Sequence, residues 1–335
     1  MNASKAFRTV ETHTLGQPTR NIVGGFPSVP GNTMAEKFIY MKEHEDWFRR
    51  LMSFEPRGNS HMSCTLVTEP CTPGTDVGVL YFGADRWYPI MGHDTLGVAV
   101  ALIETGMVPV TEPVTKIKLD TAAGVIDVEA QVKDGSVKEV SYISVPSFAL
   151  LTDLPLETTD YGSIHIDISW AGRLYAILPI ESVGLTIGMN NSAKVIEAAQ
   201  SIERDIRAKV NLNYPDLPFV QEISDVLFYS KPENPDVDIH DIAITLPNGV
   251  DRSPSGAGTS ATAAVLYRKG KLHPGETFVE ESVIGSCFRC EIVTETEISG
   301  FKGIIPKITG NAHIQGFATW VLDPDDPFPD GFILA

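Results

Sequence analysis

Apolar and polar residues along the chain alternate in two rhythms. Short runs with a two-residue period, closed by Gly or Pro, predict strands at "RTVETHTLG" (8–16), "SCTLVTEP" (63–70), "VGVLYFG" (77–83), "IKLDTAAGVIDVEAQV" (117–132), "KEVSYISVP" (138–146) and "DIHDIAITL" (238–246). Longer runs with helical spacing predict helices at "TMAEKFIYMKEHEDWFRRLM" (33–52), "HDTLGVAVALIETG" (93–106), "SAKVIEAAQSIERDIRAKVN" (192–211) and "SGAGTSATAAVLYRKG" (255–270). The third is amphipathic, with Val195, Ile196, Ala199 and Ile202 on one face, and should lie with that face inward. The second and fourth lack a polar stripe through their middle, so each should be wrapped by other elements.

Those two helices echo one another. When "MGHDTLGVAVALIETG" is laid over "SGAGTSATAAVLYRKG", 164 residues further on, Gly92 falls on Gly256, Thr95 on Thr259, Ala99 on Ala263, Leu102 on Leu266 and Gly106 on Gly270. Each copy runs from a Gly loop through an apolar helix to a Gly suited to a left-handed cap. A strand pair follows each, with Gly124 and Gly285 at nearly matching distances. A duplicated module predicts an α/β (α+β) fold of two similar lobes, residues 1–150 and 151–335, each a curved sheet around a central helix. The last residues would return towards the first lobe, and the ligand cleft is expected between the lobes. Free N–H groups at the two helix starts would there form one anion site.

Composition narrows the function. The 335 residues carry 26 basic and 43 acidic side chains, a net charge of −17, which disfavours nucleic acid and anionic membrane as partners. No apolar stretch approaches the ~18 residues of a membrane span, and the N-terminus lacks a signal-peptide core, so a cytoplasmic protein is expected. The cysteines are Cys64, Cys71, Cys287 and Cys290. "CFRC" has CxxC spacing but sits in a strand-like run, which points its thiols to opposite faces, and no second pair completes a metal site. No metal and no cofactor are expected.

"DRSPSGAGTSA" (251–261), with "ETHTLGQPTRNIVGGFP", "GNTMAEK", "EPRGNSHM", "GHDTLG" and "IIPKITGNAHIQGFATWVLDPDDPFPDGF", resembles the proline racemase family from about residue 8 to the C-terminus. That family comprises proline racemases, 4-hydroxyproline 2-epimerases and trans-3-hydroxy-L-proline dehydratases. The resemblance implies a fold like that of diaminopimelate epimerase, cofactor-independent chemistry and a homodimer. It also implies two thiols, one at each helix start, that exchange the Cα proton on opposite faces of the substrate. Here those positions are Met91 and Ser255. A thioether has no exchangeable proton, so Met91 is not an acid or base, and a serine hydroxyl is a poor base unless a neighbour deprotonates it. Dehydratases of the family carry Thr at the second position, keep a thiol or another base at the first and need only that one base, so Ser255 leans away from two-thiol racemisation while Met91 fits neither branch.

The remaining motif residues are binding equipment. The resemblance assigns Gly92, His93, Gly256 and Ala257 to the substrate's carboxylate and ring nitrogen, and Asp251 to its charged secondary amine; Ala257 replaces the usual Thr. Asp94 is read first as a helix-capping carboxylate, with contact to substrate or a role as replacement base as the alternatives. "EPRG" and "HTLGQPTR" read as hydrogen-bonded turns that brace the sheet. Two functions follow: one-base, dehydratase-type or altered isomerase chemistry on a proline- or hydroxyproline-like amino acid, or a catalytically silent relative that binds such an amino acid.

Overall fold

The computed structural model describes residues 5–214, 216–217, 220, 222–323 and 325–334. The chain divides into two compact units, residues 1–142 with 310–335 and residues 143–309.

The first unit contains β1 (Lys5–Thr14), β2 (Gln17–Gly24), α1 (Met34–His44), α2 (Asp46–Ser53), β3 (Ser63–Thr68), β4 (Val77–Gly83), β5 (Trp87–Tyr88), α3 (Gly92–Glu104), β6 (Val114–Thr121), β7 (Gly124–Lys133) and β8 (Ser136–Ile143). The second contains β9 (Phe148–Thr158), β10 (Gly162–Trp170), β11 (Leu174–Pro179), α4 (Ser192–Lys209), β12 (Asp225–Ser230), β13 (Ile239–Thr245), β14 (Gly249–Val250), α5 (Gly256–Arg268), β15 (Thr277–Glu281), β16 (Cys287–Ile298) and β17 (Phe301–Gly310). The last strand, β18 (Ala312–Leu322), pairs antiparallel with β1 and completes the first unit.

Strand pairing makes the duplication explicit. In the first unit the order is β18-β1-β2-β3-β4-β6-β7-β8, with only β2–β3 and β4–β6 parallel. In the second it is β9-β10-β11-β12-β13-β15-β16-β17, with only β11–β12 and β13–β15 parallel. The chain supplies β9 in sequence in one unit and brings β18 back from its far end to fill the same place in the other. Helix α3 packs against β18, β1, β2, β3 and β7, and α5 against β9, β10, β11 and β16. Both helices are therefore wrapped, as their lack of a polar stripe predicts.

The two helices also end alike. In one, Gly106 N–H bonds the Ile103 carbonyl and Met107 N–H bonds that of Leu102; in the other, Gly270 bonds Tyr267 and Lys271 bonds Leu266. These are paired Schellman closures, and both glycines sit at positive φ, +69° and +66°. No described helix is long and apolar enough to cross a membrane.

The other helices cover the outer faces. On α4, Val195, Ala199 and Ile202 are buried, while Ile196 packs at the edge of the same core. The helix expected over 33–52 is two helices, broken at Glu45, whose φ and ψ of −125° and 24° are not helical. The Glu45 carboxylate takes the Trp47 indole N–H there, while Asp46 opens α2 with an ion pair to Arg49 at 2.7 Å. The break turns Phe48 into a cluster with Phe7, Phe26 and Phe82, ring centroids 4.6–5.8 Å apart. Burying one such ring contributes about 1.5–3 kcal/mol. In β16, Cys290 is buried and Cys287 half-exposed, the opposite-face placement expected of "CFRC".

Candidate active site

The start of α3 follows β5 and a short extended segment, and its N-cap is Met91, which makes no side-chain capping bond. The Met91 carbonyl accepts the first helical hydrogen bond, from Thr95 N–H, and a second from the Thr95 hydroxyl at 2.9 Å. The first-turn N–H groups are thus not taken up by a capping side chain, which suits them to an anion.

Two side chains of this turn point into the unit. The Asp94 carboxylate is completely buried, and its Oδ1 accepts hydrogen bonds from the Thr19 hydroxyl of β2 and from Ser63 Oγ of β3, the latter at 2.7 Å. The His93 ring lies over the same group, with Nε2 3.1 Å from Ser63 Oγ and 3.3 Å from Asp94 Oδ1. The His93 carbonyl accepts from Thr14 Oγ1 at 2.7 Å, tying the turn to β1. The capping role expected first for Asp94 is therefore not the one it has: at the third helical position its side chain reaches strand hydroxyls, not the helix end. Close packing of helix on strand explains Gly97, where a Cβ would come within 2.9 Å of Thr12 Oγ1.

The start of α5 is built differently. Ser255 is its N-cap, at φ +61°, and Ser255 Oγ accepts from Gly258 N–H at 3.2 Å. That oxygen also lies 3.2 Å from the Tyr175 hydroxyl of β11. Burial raises the Tyr175 phenol well above its ordinary range, so it is a neutral partner and cannot serve as a base for Ser255. Asp251 is half-buried, and its Oδ1 accepts from Ser253 N–H and Ser253 Oγ, both at 2.9 Å, closing an Asx turn that leads into the helix. Gly256 is buried and Ala257 half-buried in the first turn. Gly258 is confined: a Cβ there would sit 3.0 Å from Leu227 Cδ1 and 3.0 Å from Ser255 Cβ.

None of the four cysteines lies in the first turn of α3 or α5. Burial pushes the Cys64 thiol far above its usual range and the Cys290 thiol well up as well, which leaves both neutral. The expected bracing turns are present. Arg57 of "EPRG" donates to the Leu51, Phe328 and Pro329 carbonyls at 2.8–3.0 Å, and Arg20 of "HTLGQPTR" pairs with Glu11 at 2.9 Å. Among the described residues no group of three or more His, Cys, Asp or Glu is arranged to hold a metal ion.

The structure adds residues that pattern reading missed. Thr19, Ser63 and Tyr175 lie in strands β2, β3 and β11, and only the fold brings them to the helix starts. A buried carboxyl pair, Asp241 of β13 and Glu280 of β15, lies against α5, with the Thr262 hydroxyl donating to Glu280 at 3.2 Å. The strand register of the two units shows what this pair replaces. Ile239 pairs with Glu280 as Val77 pairs with Leu119, so Asp241, Glu280 and Thr262 stand where the first unit has Val79, Leu119 and Val98.

Comparison with known proteins shows the family. Residues 9–333 match the proline racemase family as a whole. A 4-hydroxyproline 2-epimerase of Streptosporangium roseum is 40% identical over 334 residues, covering all of both chains. A proline racemase of Clostridioides difficile is 38% identical over 334 residues, again covering both in full. A hydroxyproline epimerase from Agrobacterium vitis, solved with bound trans-4-hydroxy-L-proline, superposes with a TM-score of 0.90 at 31% identity, over 100% of this chain and 96% of that one. With the repeated sheet, the two wrapped helices and the motifs at their starts, this full-length similarity makes the chain a member of the proline racemase family.

Proposed function

We propose that the protein performs cofactor-independent, one-base chemistry at Cα of a proline- or hydroxyproline-like amino acid, with elimination of the dehydratase type favoured over two-base racemisation. The observation that carries this reading is the difference between the two helix starts. Met91 has no proton to exchange. Among the described residues, Ser255 Oγ has the Gly258 amide and the neutral Tyr175 phenol as hydrogen-bond partners, and neither can activate it as a base. Racemisation needs an acid on one face of Cα and a base on the other; elimination needs a base on one face alone, because a β-hydroxyl leaves and no proton returns.

The binding side of the reading rests on physical grounds. Small residues at a helix start let a carboxylate approach bare N–H groups, which fits Gly92, Gly256 and Ala257. Asp251 and His93 face the secondary ammonium, Asp251 with negative charge and His93 with a polar ring that Asp94 supports from behind. A cytoplasmic location and a homodimer belong to the same reading.

The neutrality of the Tyr175 phenol beside Ser255 also favours a second reading, a silent binder of the same ligands. Proton NMR in D₂O separates the two. With L- and D-proline, the 4-hydroxyprolines and trans-3-hydroxy-L-proline, an enzyme removes the Cα–H signal or forms a pyrroline. A binder leaves every spectrum unchanged while ligand raises the melting temperature, by the equivalent of about 2.7 kcal/mol at a hundredfold excess over Kd.

A further inference from the structure

A one-base reading leaves the base to be found. We propose that it is His93, acting through Nδ1, with Asp94 as the positioning residue that fixes the ring; this assignment rests on the one-base reading above.

The hydrogen bonds around Asp94 determine which nitrogen is basic. Asp94 Oδ1 accepts from the Thr19 hydroxyl and lies 2.7 Å from Ser63 Oγ. Ser63 has one proton, and both groups within its reach as acceptors, Asp94 Oδ1 and the Pro18 carbonyl at 2.9 Å, are oxygens without a proton to give back. Ser63 therefore turns a lone pair towards His93 Nε2, and the carboxylate 3.3 Å away does the same. The only hydrogen that satisfies both is on Nε2. Nε2 then carries a proton whether the ring is neutral or charged, and Nδ1 is the nitrogen that gains and loses one. A carboxylate behind an imidazole that holds its tautomer and stabilises the imidazolium is an established device for general bases.

Other groups at the two helix starts fit the role less well. Asp94 is fully buried and already accepts two hydroxyl hydrogens, so it stands behind the ring, not in front of it. The His93 side chain keeps 11% of its surface accessible in the first turn of α3. Met91 and Ser255 are excluded above, and Asp251 Oδ1 is committed to its turn.

With a 3-hydroxyproline the step balances as follows. Nδ1 takes the Cα proton, and the C–H electron pair becomes the Cα–Cβ double bond. The Cβ–O bond breaks, with its pair leaving on hydroxide. Imidazolium Nδ1–H returns its proton to that oxygen, giving water and a pyrroline carboxylate, and His93 is neutral again. With proline there is no leaving group, so the proton returns to the same face. The outcome is exchange with solvent at retained configuration.

Two readouts test this. Long-range ¹H–¹⁵N correlation of the histidine rings, with the His93 signal assigned by its loss in His93→Gln, should show the Nε2–H tautomer in the parent and a mixed or reversed tautomer in Asp94→Asn. Exchange and elimination in D₂O should disappear in His93→Gln, with an unchanged circular dichroism spectrum showing that the variant is folded. In Asp94→Asn kcat should fall about 100-fold or more with little change in KM. An Nδ1–H tautomer in the parent, or exchange that survives His93→Gln, overturns His93 as the base and leaves the one-base reading standing. A parent that binds ligand but exchanges no proton from any of the panel overturns both.

Discussion

Met91 and Ser255 occupy equivalent places at the starts of equivalent helices, yet their side chains do opposite things. Met91 leaves α3 without a side-chain cap; Ser255 caps α5 and holds φ +61°. Ser255→Gly should therefore cost less stability than Ser255→Ala. Both lose the cap, worth about 0.5–2 kcal/mol, but glycine relieves the left-handed backbone that alanine must still adopt. Urea denaturation of the pair of variants checks the order. Gly258→Ala should cost about 1–3 kcal/mol, since the new methyl meets Leu227 and Ser255 and neither can withdraw without repacking. On the one-base reading proposed above, Met91→Cys combined with Ser255→Cys should racemise proline about 100-fold faster than either single variant. Chiral chromatography of L-proline incubations reads that directly.

Among the elements, the contrast between the repeats isolates a group of polar side chains that the architecture does not need. Val79, Leu119 and Val98 fill the first unit where Asp241, Glu280 and Thr262 fill the second. Burial pushes the Glu280 carboxyl up to about 8, and burial with the nearby Glu280 and Asp251 charges raises Asp241 well above the carboxylate range. Neutral Cys290 lies beside Glu280 and offers no countercharge. The folded state thus keeps protons that the unfolded chain releases near about pH 4. Their contribution to stability is complete below that value and is lost as pH rises towards about 8. Denaturation midpoints should fall between about pH 5.5 and about pH 8.5, and Asp241→Asn with Glu280→Gln, which cannot ionise, should flatten that fall.

At the scale of the whole molecule, the first unit depends on chain ends that are far apart in sequence. Strand β18 covers one side of α3 and pairs with β1 along its length. Arg57 then holds the segment beyond it through the Phe328 and Pro329 carbonyls and Asp326 at 2.8–3.2 Å. Arg57→Ala should speed hydrogen exchange and proteolysis in residues 325–334 while the second unit keeps its protection. Removing residues from 312 onward should go further, leaving β1 with an open edge and α3 partly uncovered.

The sequence by itself determined a good deal. Apolar period and Gly punctuation are local signals, and they marked α3, α4, α5 and the strands with clean alternation. The echo between residues 91–106 and 255–270 carried the duplicated architecture, and the motifs carried the family. Strands such as β9 escaped because Asp153, at φ +53°, and Pro155 interrupt the alternation, and the register with β10 slips there. Other matters were decided only by tertiary structure. The break at Glu45 follows from where Phe48 packs, and the role of Asp94 follows from Thr19 and Ser63, 75 and 31 residues away. The neutrality of Tyr175 and Glu280 follows from burial. Each of these depends on which groups are brought together and how much water is removed around them, and neither quantity is a property of a local stretch of chain.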